Sequence, residues 1–255
     1  RGIFTAGSEE PNGIIQLETE GYTEPNRRVT EIQIYEGLKA FSQNNWPSTN
    51  YDFGAINDLL APFFPAGFYY KTFMWPSKFW KIYEYFIRYA AGLGKAPKKD
   101  DPHIYEHFHY HCDLLIVGSG ISGLYSAEIA AKKNLKVLLI EQENEIGGEI
   151  LFSRDEKIKI NNLPINDWKN KILDKLSKNI NVKIISNTTC FAYLTYNLLL
   201  AIQDCEPETG LNRTHDIRQR IWKIRAKKVI LATGAIERPI LFNNNDRPGI
   251  MLGNS

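Results

Sequence analysis

The chain has 255 residues, of which 43% are hydrophobic and 24% charged, a composition typical of globular proteins that excludes collagen-like and disordered chains. Its 31 Lys and Arg residues against 29 Asp and Glu residues leave a net charge of +2, too small to recruit nucleic acid or an anionic membrane. Three scattered cysteines, Cys112, Cys190 and Cys205, exclude a disulfide framework or a four-thiolate metal site and favour a reducing, cytoplasmic location.

The two ends of the sequence predict a fragment. The chain opens on Arg1 and stops at Ser255 without a recognisable terminus signal, so we expect it to be part of a longer protein. No stretch reaches the roughly 18 consecutive apolar residues of a membrane span, and the first residues lack the pattern of a secretory signal peptide. We therefore expect neither membrane insertion nor secretion.

Residues 1–35 are predicted to be the remnant of a small β domain. Two short runs rich in β-branched residues, at 14–17 and 29–34, are separated by the turn-forming pairs Glu20-Gly21 and Pro25-Asn26. Because one pair of strands is not stable alone, we expect these strands to belong to a larger sheet.

Residues 36–102 are predicted to form an aromatic-rich interface or linker region. Thirteen of the chain's Phe, Trp and Tyr residues lie between positions 63 and 89. A helix lying on a membrane surface is the alternative, but Pro62, Pro65 and Pro76 would interrupt a long helix. Because rigid aromatic side chains dominate protein interfaces, we expect a loop-rich layer that packs on another domain or subunit.

Residues 103–255 are predicted to form an incomplete FAD/NAD-binding Rossmann-like domain, which follows a polar, Pro-containing stretch at 94–102. Apolar runs typical of buried parallel strands alternate with segments of helical apolar spacing. The predicted strands are 112–117, 137–140, 182–185 and 229–232, the predicted helices are 121–133 and a segment from Asp167, and a β-meander covers 191–224. This order predicts an α/β fold with a doubly wound parallel sheet and an inserted β-meander.

The strongest motif is the GxGxxG sequence at 118–123, which lies between a predicted strand and a predicted helix. Gly118 allows the tight turn, Gly120 lets the backbone approach a pyrophosphate, and Gly123 lets the helix press on the sheet. Glu141 closes the next strand, where a carboxylate accepts hydrogen bonds from an adenosine ribose and repels a 2′-phosphate. The constellation favours NAD or FAD over NADP; an empty Gly-rich turn is the alternative.

Two further signals belong to the same architecture. Gly147-Gly148 follows the second strand, and paired glycines let the chain pass close beside a bound dinucleotide. The predicted strand 229–232 runs into Thr233-Gly234, which returns the chain to the cofactor. The combination resembles the two-dinucleotide-binding-domain flavoprotein superfamily, whose members bind FAD or NAD at such a site.

Motifs outside the nucleotide fold carry a closer resemblance. They are the segments 1–12, 35–40 with 42–44, 65–76 and 245–251. These segments resemble the α subunits of heterotetrameric sarcosine oxidases. Opine oxidase and hydrogen cyanide synthase subunits share the nucleotide domain and the Asp-Arg-Pro-Gly element at 246–249, but they match the aromatic region less well.

The resemblance implies an assembly that oxidatively demethylates sarcosine to glycine with oxygen, yielding hydrogen peroxide and formaldehyde or 5,10-methylenetetrahydrofolate. It implies NAD in this chain, FAD and FMN mainly at the β subunit, and tetrahydrofolate in a C-terminal region beyond this sequence. The implied partners are the β, γ and δ subunits. The resemblance also implies a ferredoxin-like fold for residues 1–35 and no catalytic residue in this stretch. Because the three cysteines lack cluster-ligand spacing and lie outside residues 1–35, we expect no iron–sulfur cluster.

Carried onto matching positions, the resemblance implies a set of NAD contacts. They are Gly118, Gly120, Ser122, Gly123, Glu141, Gln142, Glu143, Gly148, Glu149, Cys190 and Gly234. The family usually has an acidic pair at the end of the second strand, whereas this chain has Gln142 in the second place. Ribose recognition is therefore expected to rest mainly on Glu141.

A run of histidines precedes the Rossmann-like fold. On an extended chain, His107, His109 and His111 would share one face beside Cys112, and imidazole and thiolate both bind zinc. No second cluster completes a closed site, so we expect no metal and favour a strand edge or an interface.

Two other functions stay open. The chain could belong to a catalytic FAD-dependent dehydrogenase of the opine-oxidase kind that acts through this site, or it could be a structural scaffold that binds a nucleotide.

Overall fold

The computed structural model describes residues 14–19, 22–29, 32, 34–43, 45, 47–56, 59, 75–90, 92–94, 97, 100, 103–153, 158–205, 217–235, 242–244, 247 and 249–251. Segments 1–12 and 65–74, which carry part of the predicted family resemblance, lie outside these residues, as do Asp246 and Pro248. The chain divides into two compact units, Arg1–Glu106 with Asp204–Gln219 and His107–Gln203 with Arg220–Ser255. The predicted boundaries after residues 35 and 102 stay predictions.

The first unit contains a three-stranded antiparallel sheet. Its strands are β1 (Ile14–Thr19), β2 (Tyr22–Arg28) and β3 (Lys39–Ser42), in the order β2-β1-β3. Ile14 and Leu17 of β1 are buried, as expected for the central strand of a small sheet. The ferredoxin-like topology stays a prediction.

The predicted strand at 29–34 is wrong, because its described residues 29, 32 and 34 lie outside the strands. Strand β2 instead runs through the predicted turn at Pro25-Asn26. The pairing register with β1 shifts by one residue between the pairs Ile15↔Arg27 and Leu17↔Glu24. Asn26 has φ 63, so the turn-forming pair makes a β-bulge inside the strand instead of ending it.

Side-chain contacts hold this bulge. The Oδ1 atom of Asn26 accepts hydrogen bonds from Gln43 Nε2 at 2.6 Å and from the Gly94 N–H at 2.9 Å. The Asn26 N–H donates to Gln43 Oε1 at 3.0 Å. These contacts join segments distant in sequence, which local turn propensity does not reveal.

The predicted loop-rich layer contains the α-helix α1 (Trp80–Ala90). Pro76 precedes the short 3-10 helix 77–79 that leads into α1, a position where proline does not interrupt helical hydrogen bonds. The segment 80–90 contains neither Pro nor Gly, so nothing in it prevents a helix. Several aromatic residues here are exposed, among them Tyr85 at 59% and Phe86 at 64%.

The second sheet has six strands. They are β4 (Ile104–Val117), β5 (Val137–Ile140), β8 (Val182–Ile185), β9 (Thr188–Leu194), β10 (Leu198–Asp204) and β11 (Ile217–Leu231). Their order in the sheet is β8-β5-β4-β11-β10-β9. Strand β5 pairs in parallel with both β4 and β8, whereas β9 and β10 are antiparallel. Strand β4 starts earlier than predicted and includes the histidine run.

Two helices pack on one face of this sheet. They are α2 (Ile121–Lys132) and α3 (Ile165–Ser177), and the short strands β6 (Lys159–Ile160) and β7 (Leu163–Pro164) precede α3. Trp168, Ile172 and Leu176 of α3 are buried together with Leu124 and apolar residues of the parallel strands. The predicted one-sided spacing of α3 is confirmed.

The meander strands β9, β10 and β11 are neighbours in the sheet, as predicted. Strand β11 is continuous, so the return strand predicted at 229–232 is the end of one long strand. Leu199, Trp222 and Ile224 of the meander form a second buried cluster with Leu115 and Leu138 of the parallel strands. The predicted polar tip at 206–216 lies outside the described residues. The predicted α/β class with a parallel sheet and a β-meander is confirmed.

Candidate functional site

The candidate site lies where β4 ends and α2 begins, at the carboxyl edge of the parallel strands. The Gly118 N–H donates to the Ile140 carbonyl at 2.8 Å, and the Ala232 N–H donates to the Val117 carbonyl at 2.7 Å. The connecting loop is therefore anchored between the ends of β5 and β11. Ligands of open α/β sheets bind at this edge.

Gly118 and Gly123 allow the loop to pack closely against backbone carbonyl groups of the chain. Gly118 has φ +98, and a Cβ there would collide with the carbonyl oxygen of Ala232. A Cβ at Gly123 would collide with the carbonyl oxygen of Gly118. Neither position has room for a side chain, so these two glycines are required by the fold of the loop.

Gly120 faces open space. It has φ −64, and among the described residues, its two chain neighbours aside, no atom lies within 4 Å of the position that a Cβ would occupy. It caps helix α2 without a side-chain hydrogen bond, and the next residues, Ile121 and Ser122, are exposed. The N-terminus of a helix carries partial positive charge and backbone N–H groups, so an anion such as a pyrophosphate fits here.

Glu141 follows β5 and is buried, with 8% of its surface exposed. Its Oε2 atom accepts hydrogen bonds from the Ser119 N–H at 2.8 Å and from Ser119 Oγ at 2.6 Å. Its Oε1 atom accepts the Glu143 N–H at 3.2 Å. The predicted ribose-binding carboxylate is thus fixed beside the glycine loop by this chain's own donors.

Ser119 joins three segments of the site. It is completely buried, and its Oγ accepts the Gly147 N–H at 2.9 Å in addition to donating to Glu141. A Cβ at Gly148, which has φ +54, would lie 3.2 Å from Gly120 Cα. The paired glycines therefore pass close beside the loop, next to the open space at Gly120.

The remaining acidic and amide candidates lie on the outside of this site. Gln142 Nε2 donates to Glu143 Oε1 at 3.2 Å. Glu143 and Glu149 are both exposed, and Glu149 lies in the first turn of the 3-10 helix 148–151. Gly234 follows β11 with φ +66 and has open space around its Cβ position. The structure thus groups Glu141 with the loop more closely than it groups these four residues.

Strand β9 begins beside Glu141. The Thr188 N–H donates to the Glu141 carbonyl at 2.8 Å, and the Asn187 N–H donates to the Glu143 carbonyl at 3.0 Å. The predicted contact residue Cys190 lies two residues further along β9 and is half-buried. Burial raises the pKa of its thiol, so the side chain stays neutral near pH 7.

The histidine run lies on the exposed part of β4. His107, His109 and His111 alternate with Phe108 and Tyr110 along the strand, and all three histidines are exposed. Within the described residues, no group of three or more His, Cys, Asp or Glu side chains is placed to hold a metal ion. Burial raises the pKa of the neighbouring Cys112 thiol to about 11, so this sulfur stays protonated.

Sequence reasoning missed Ser119. The position between the first two glycines of the motif accepts many residue types, so the motif itself does not single it out. The signal in the sequence was a hydroxyl residue, Ser119, in a loop that precedes an acidic residue, Glu141, at the end of the next strand. Only the fold shows that the hydroxyl is buried against that carboxylate.

Comparison with known proteins agrees with a Rossmann-like nucleotide-binding fold. Residues 116–171 match the family described as an NAD(P)-binding Rossmann-like domain. The chain is 44% identical to sarcosine oxidase subunit alpha of Rhizobium meliloti (strain 1021) over 99% of its own length and 25% of the relative. It is 31% identical to sarcosine oxidase subunit alpha of Corynebacterium sp. (strain U-96) over 100% of its own length and 22% of the relative. The chain is similar to sarcosine oxidase α subunits. This confirms the predicted resemblance.

The similarity to sarcosine oxidase α subunits extends beyond the nucleotide fold. The chain spans about a quarter of the length of these relatives, and the matched part includes the small β unit and the aromatic region. Among solved structures, L-proline dehydrogenase from P. horikoshii is 27% identical, with a TM-score of 0.43 over 60% of this chain and 28% of that one. In the described part of the chain, the helices are too short or too polar to cross a membrane.

Proposed function

We propose that this chain is the NAD-binding part of a sarcosine oxidase complex and that NAD lies along the loop at 118–123. One observation carries the proposal. The open space at Gly120 lies at the N-terminus of α2, where no side chain caps the helix, and the Glu141 carboxylate is hydrogen-bonded to the preceding residue, Ser119. This pairing of an anion site with a hydrogen-bond acceptor fits a pyrophosphate joined to an adenosine ribose.

Each predicted contact residue has a role in this arrangement. Gly118 forms the tight turn and Gly123 lets α2 pack against it, Gly120 and Ser122 present backbone at the helix N-terminus to the pyrophosphate, and Glu141 accepts from the adenosine ribose. Gly148 closes one side of the site, and the backbone at Cys190 borders the adenine. We keep Gln142, Glu143, Glu149 and Gly234 as peripheral contacts.

The charge of Glu141 favours NAD over NADP. A carboxylate accepts a ribose hydroxyl but repels the 2′-phosphate that distinguishes NADP. FAD carries the same adenosine diphosphate, so the local geometry accepts it as well. We favour NAD because the chain resembles α subunits, whose family is expected to hold its flavins mainly at the β subunit. When bound, NAD supplies a hydride acceptor, while these residues hold its adenosine end.

At the level of the complex, we propose that sarcosine, oxygen and water yield glycine, formaldehyde and hydrogen peroxide. In the presence of tetrahydrofolate the one-carbon unit leaves as 5,10-methylenetetrahydrofolate. The names of the relatives support this activity. FAD, FMN and the folate site are proposed to lie outside this chain, which contributes no catalytic residue, and we place the complex in the cytoplasm.

The partners are proposed to be the β, γ and δ subunits, with the aromatic region as one contact surface. Tyr85 and Phe86 on α1 are 59% and 64% exposed. Phe86→Ser should leave the thermal unfolding temperature of the chain unchanged, because the ring has little packing to lose. It should weaken co-purification of the other subunits, and retention of full assembly would contradict the assignment of this surface.

Nucleotide analysis of the intact complex tests the cofactor proposal. The complex is purified, the subunits are separated, and the nucleotide released from each on denaturation is quantified by chromatography. We expect one NAD per chain of this type and flavin with the β subunit. Flavin released from this chain in place of NAD would favour the opine-oxidase-like dehydrogenase. Release of neither would contradict a nucleotide site here.

A further inference from the structure

We propose that Ser119 is a positioning residue that sets the preference of this site for NAD over NADP by fixing the carboxylate of Glu141. The proposal rests on the proposed function, because it assumes that the adenosine ribose binds at Glu141. Ser119 touches the recognition carboxylate and not the nucleotide itself, since its side chain is completely buried.

Within the described part of the chain, Ser119 supplies two of the three hydrogen bonds that the Glu141 carboxylate accepts. Its N–H and Oγ both donate to Oε2, at 2.8 and 2.6 Å, while Oε1 accepts the Glu143 N–H at 3.2 Å. Each carboxylate oxygen has about two lone-pair sites. Oε2 is therefore saturated by Ser119, and Oε1 keeps the place for a ribose hydroxyl.

The direction of the Ser119 hydroxyl proton is also fixed. A hydroxyl group has one proton to donate, and Oγ accepts the Gly147 N–H at 2.9 Å. The proton then points to Glu141, at 2.6 Å. The donor is oriented before any nucleotide arrives, and the burial of both residues leaves little room for water to replace it.

The preference for NAD over NADP follows from the fixed orientation of the Glu141 carboxylate. A carboxylate that can rotate away from a 2′-phosphate repels it less than one that is held in place. Removal of the Ser119 hydroxyl leaves Oε2 with the backbone N–H of residue 119 alone. The carboxylate can then turn outward, which weakens its hydrogen bond to the ribose of NAD and relaxes its repulsion of NADP.

A double-mutant cycle tests the proposal in the intact complex. Ser119→Ala, Glu141→Ala and the double variant are stripped of nucleotide, and the dissociation constants of NAD+ and NADP+ are measured by calorimetric titration. Because a hydrogen bond to a charged group is strong, we expect Ser119→Ala to lower the NAD+/NADP+ affinity ratio about tenfold. The double variant should match Glu141→Ala, since Ser119 acts through that carboxylate.

Control variants distinguish the positioning role of the Ser119 hydroxyl from a nonspecific effect of substitution on the fold. Ser177→Ala removes an exposed hydroxyl that donates to the Asp174 carbonyl at the end of α3, and it should leave the ratio unchanged. Ser119→Cys fills the buried space with a weak donor and should lower the ratio as well, which serves if Ser119→Ala does not fold.

Three results would overturn the proposal, and they are distinguishable. An unchanged ratio in both Ser119 variants would show that the hydroxyl does not set specificity. A further loss of the ratio in the double variant beyond Glu141→Ala would show that Ser119 acts independently of the carboxylate. Failure of the unsubstituted complex to bind either nucleotide would overturn the proposed function itself.

Discussion

The two sides of the glycine loop differ in what they face. On one side, Gly118 and Gly123 lie so close to backbone carbonyl oxygens that neither has room for a Cβ. On the other side, no described residue beyond the chain neighbours of Gly120 has an atom within 4 Å of its Cβ position, and its φ of −64 is ordinary. The same residue type therefore serves packing at two positions, whereas at the third it leaves space for a ligand. Substitutions on the two sides should fail in different ways.

Gly118→Ala is expected to have the largest effect. The new Cβ would collide with the Ala232 carbonyl, and φ +98 strains any residue other than glycine. Together these costs amount to roughly 3–5 kcal/mol in the free energy of unfolding, a large part of a typical domain's stability. Thermal or denaturant unfolding of the complex, monitored on this subunit, measures the loss.

The matched control for Gly118→Ala is Gly120→Ala, the same change two residues later. Its backbone conformation suits alanine and its Cβ meets nothing, so the loss of stability should stay below about 1 kcal/mol. Equal destabilisation by the two variants would remove the distinction between the two sides of the loop.

Gly120→Val is expected to separate binding from folding. Its side chain would occupy the open space proposed for the pyrophosphate, and its Cβ would meet no described residue beyond the two chain neighbours. We expect the unfolding temperature to stay within a few degrees of the original and the affinity for NAD+ to fall at least about 100-fold, the effect of roughly 2.7 kcal/mol. Calorimetric titration with NAD+ measures the loss; undiminished affinity would place the nucleotide elsewhere.

Local patterns predicted most of the Rossmann-like part. Apolar spacing is a property of neighbouring residues in the sequence. It predicts the strand 137–140, the helix that begins at Ile121 and the buried face of α3. The glycine motif and Glu141 were predictable for the same reason, because a turn, a helix and a strand follow one another within the 24 residues from 118 to 141.

Contacts between distant residues were not predictable in this way. The bulge at Asn26 depends on contacts with Gln43 and Gly94. The local sequence Pro25-Asn26, taken without those contacts, predicts a turn that ends a strand. The role of Ser119 depends on Glu141 and Gly147, which are 22 and 28 residues away. Propensity cannot reveal such partners, since it describes each residue with its neighbours only.

Substitution of Glu128 in α2 is expected to have the smallest effect, and to change only the stability of the chain. Its Oε1 lies 3.0 Å from Lys175 Nζ of α3 and 3.2 Å from Lys132 Nζ. Burial alone would raise the pKa of the Glu128 carboxyl, but the hydrogen bonds from these lysines outweigh it and hold the pKa below its ordinary value. Because both lysines are at least half exposed, the pairs contribute no more than about 1 kcal/mol at pH 7.

The sign of the pH dependence follows from the lowered pKa. A carboxyl with a lower pKa in the folded state contributes its full stabilisation above its unfolded pKa of about 4.3 and loses it as the pH falls through the folded value. Glu128→Gln should therefore lower the unfolding free energy at pH 7, converge with the original protein as the pH falls below the lowered pKa of Glu128, and leave NAD+ affinity unchanged. Asp174→Asn, in an exposed pair with Lys178, should change stability less. A change of NAD+ affinity in Glu128→Gln would show that the packed side of α2 also controls the loop, and the two sides would then not be separable.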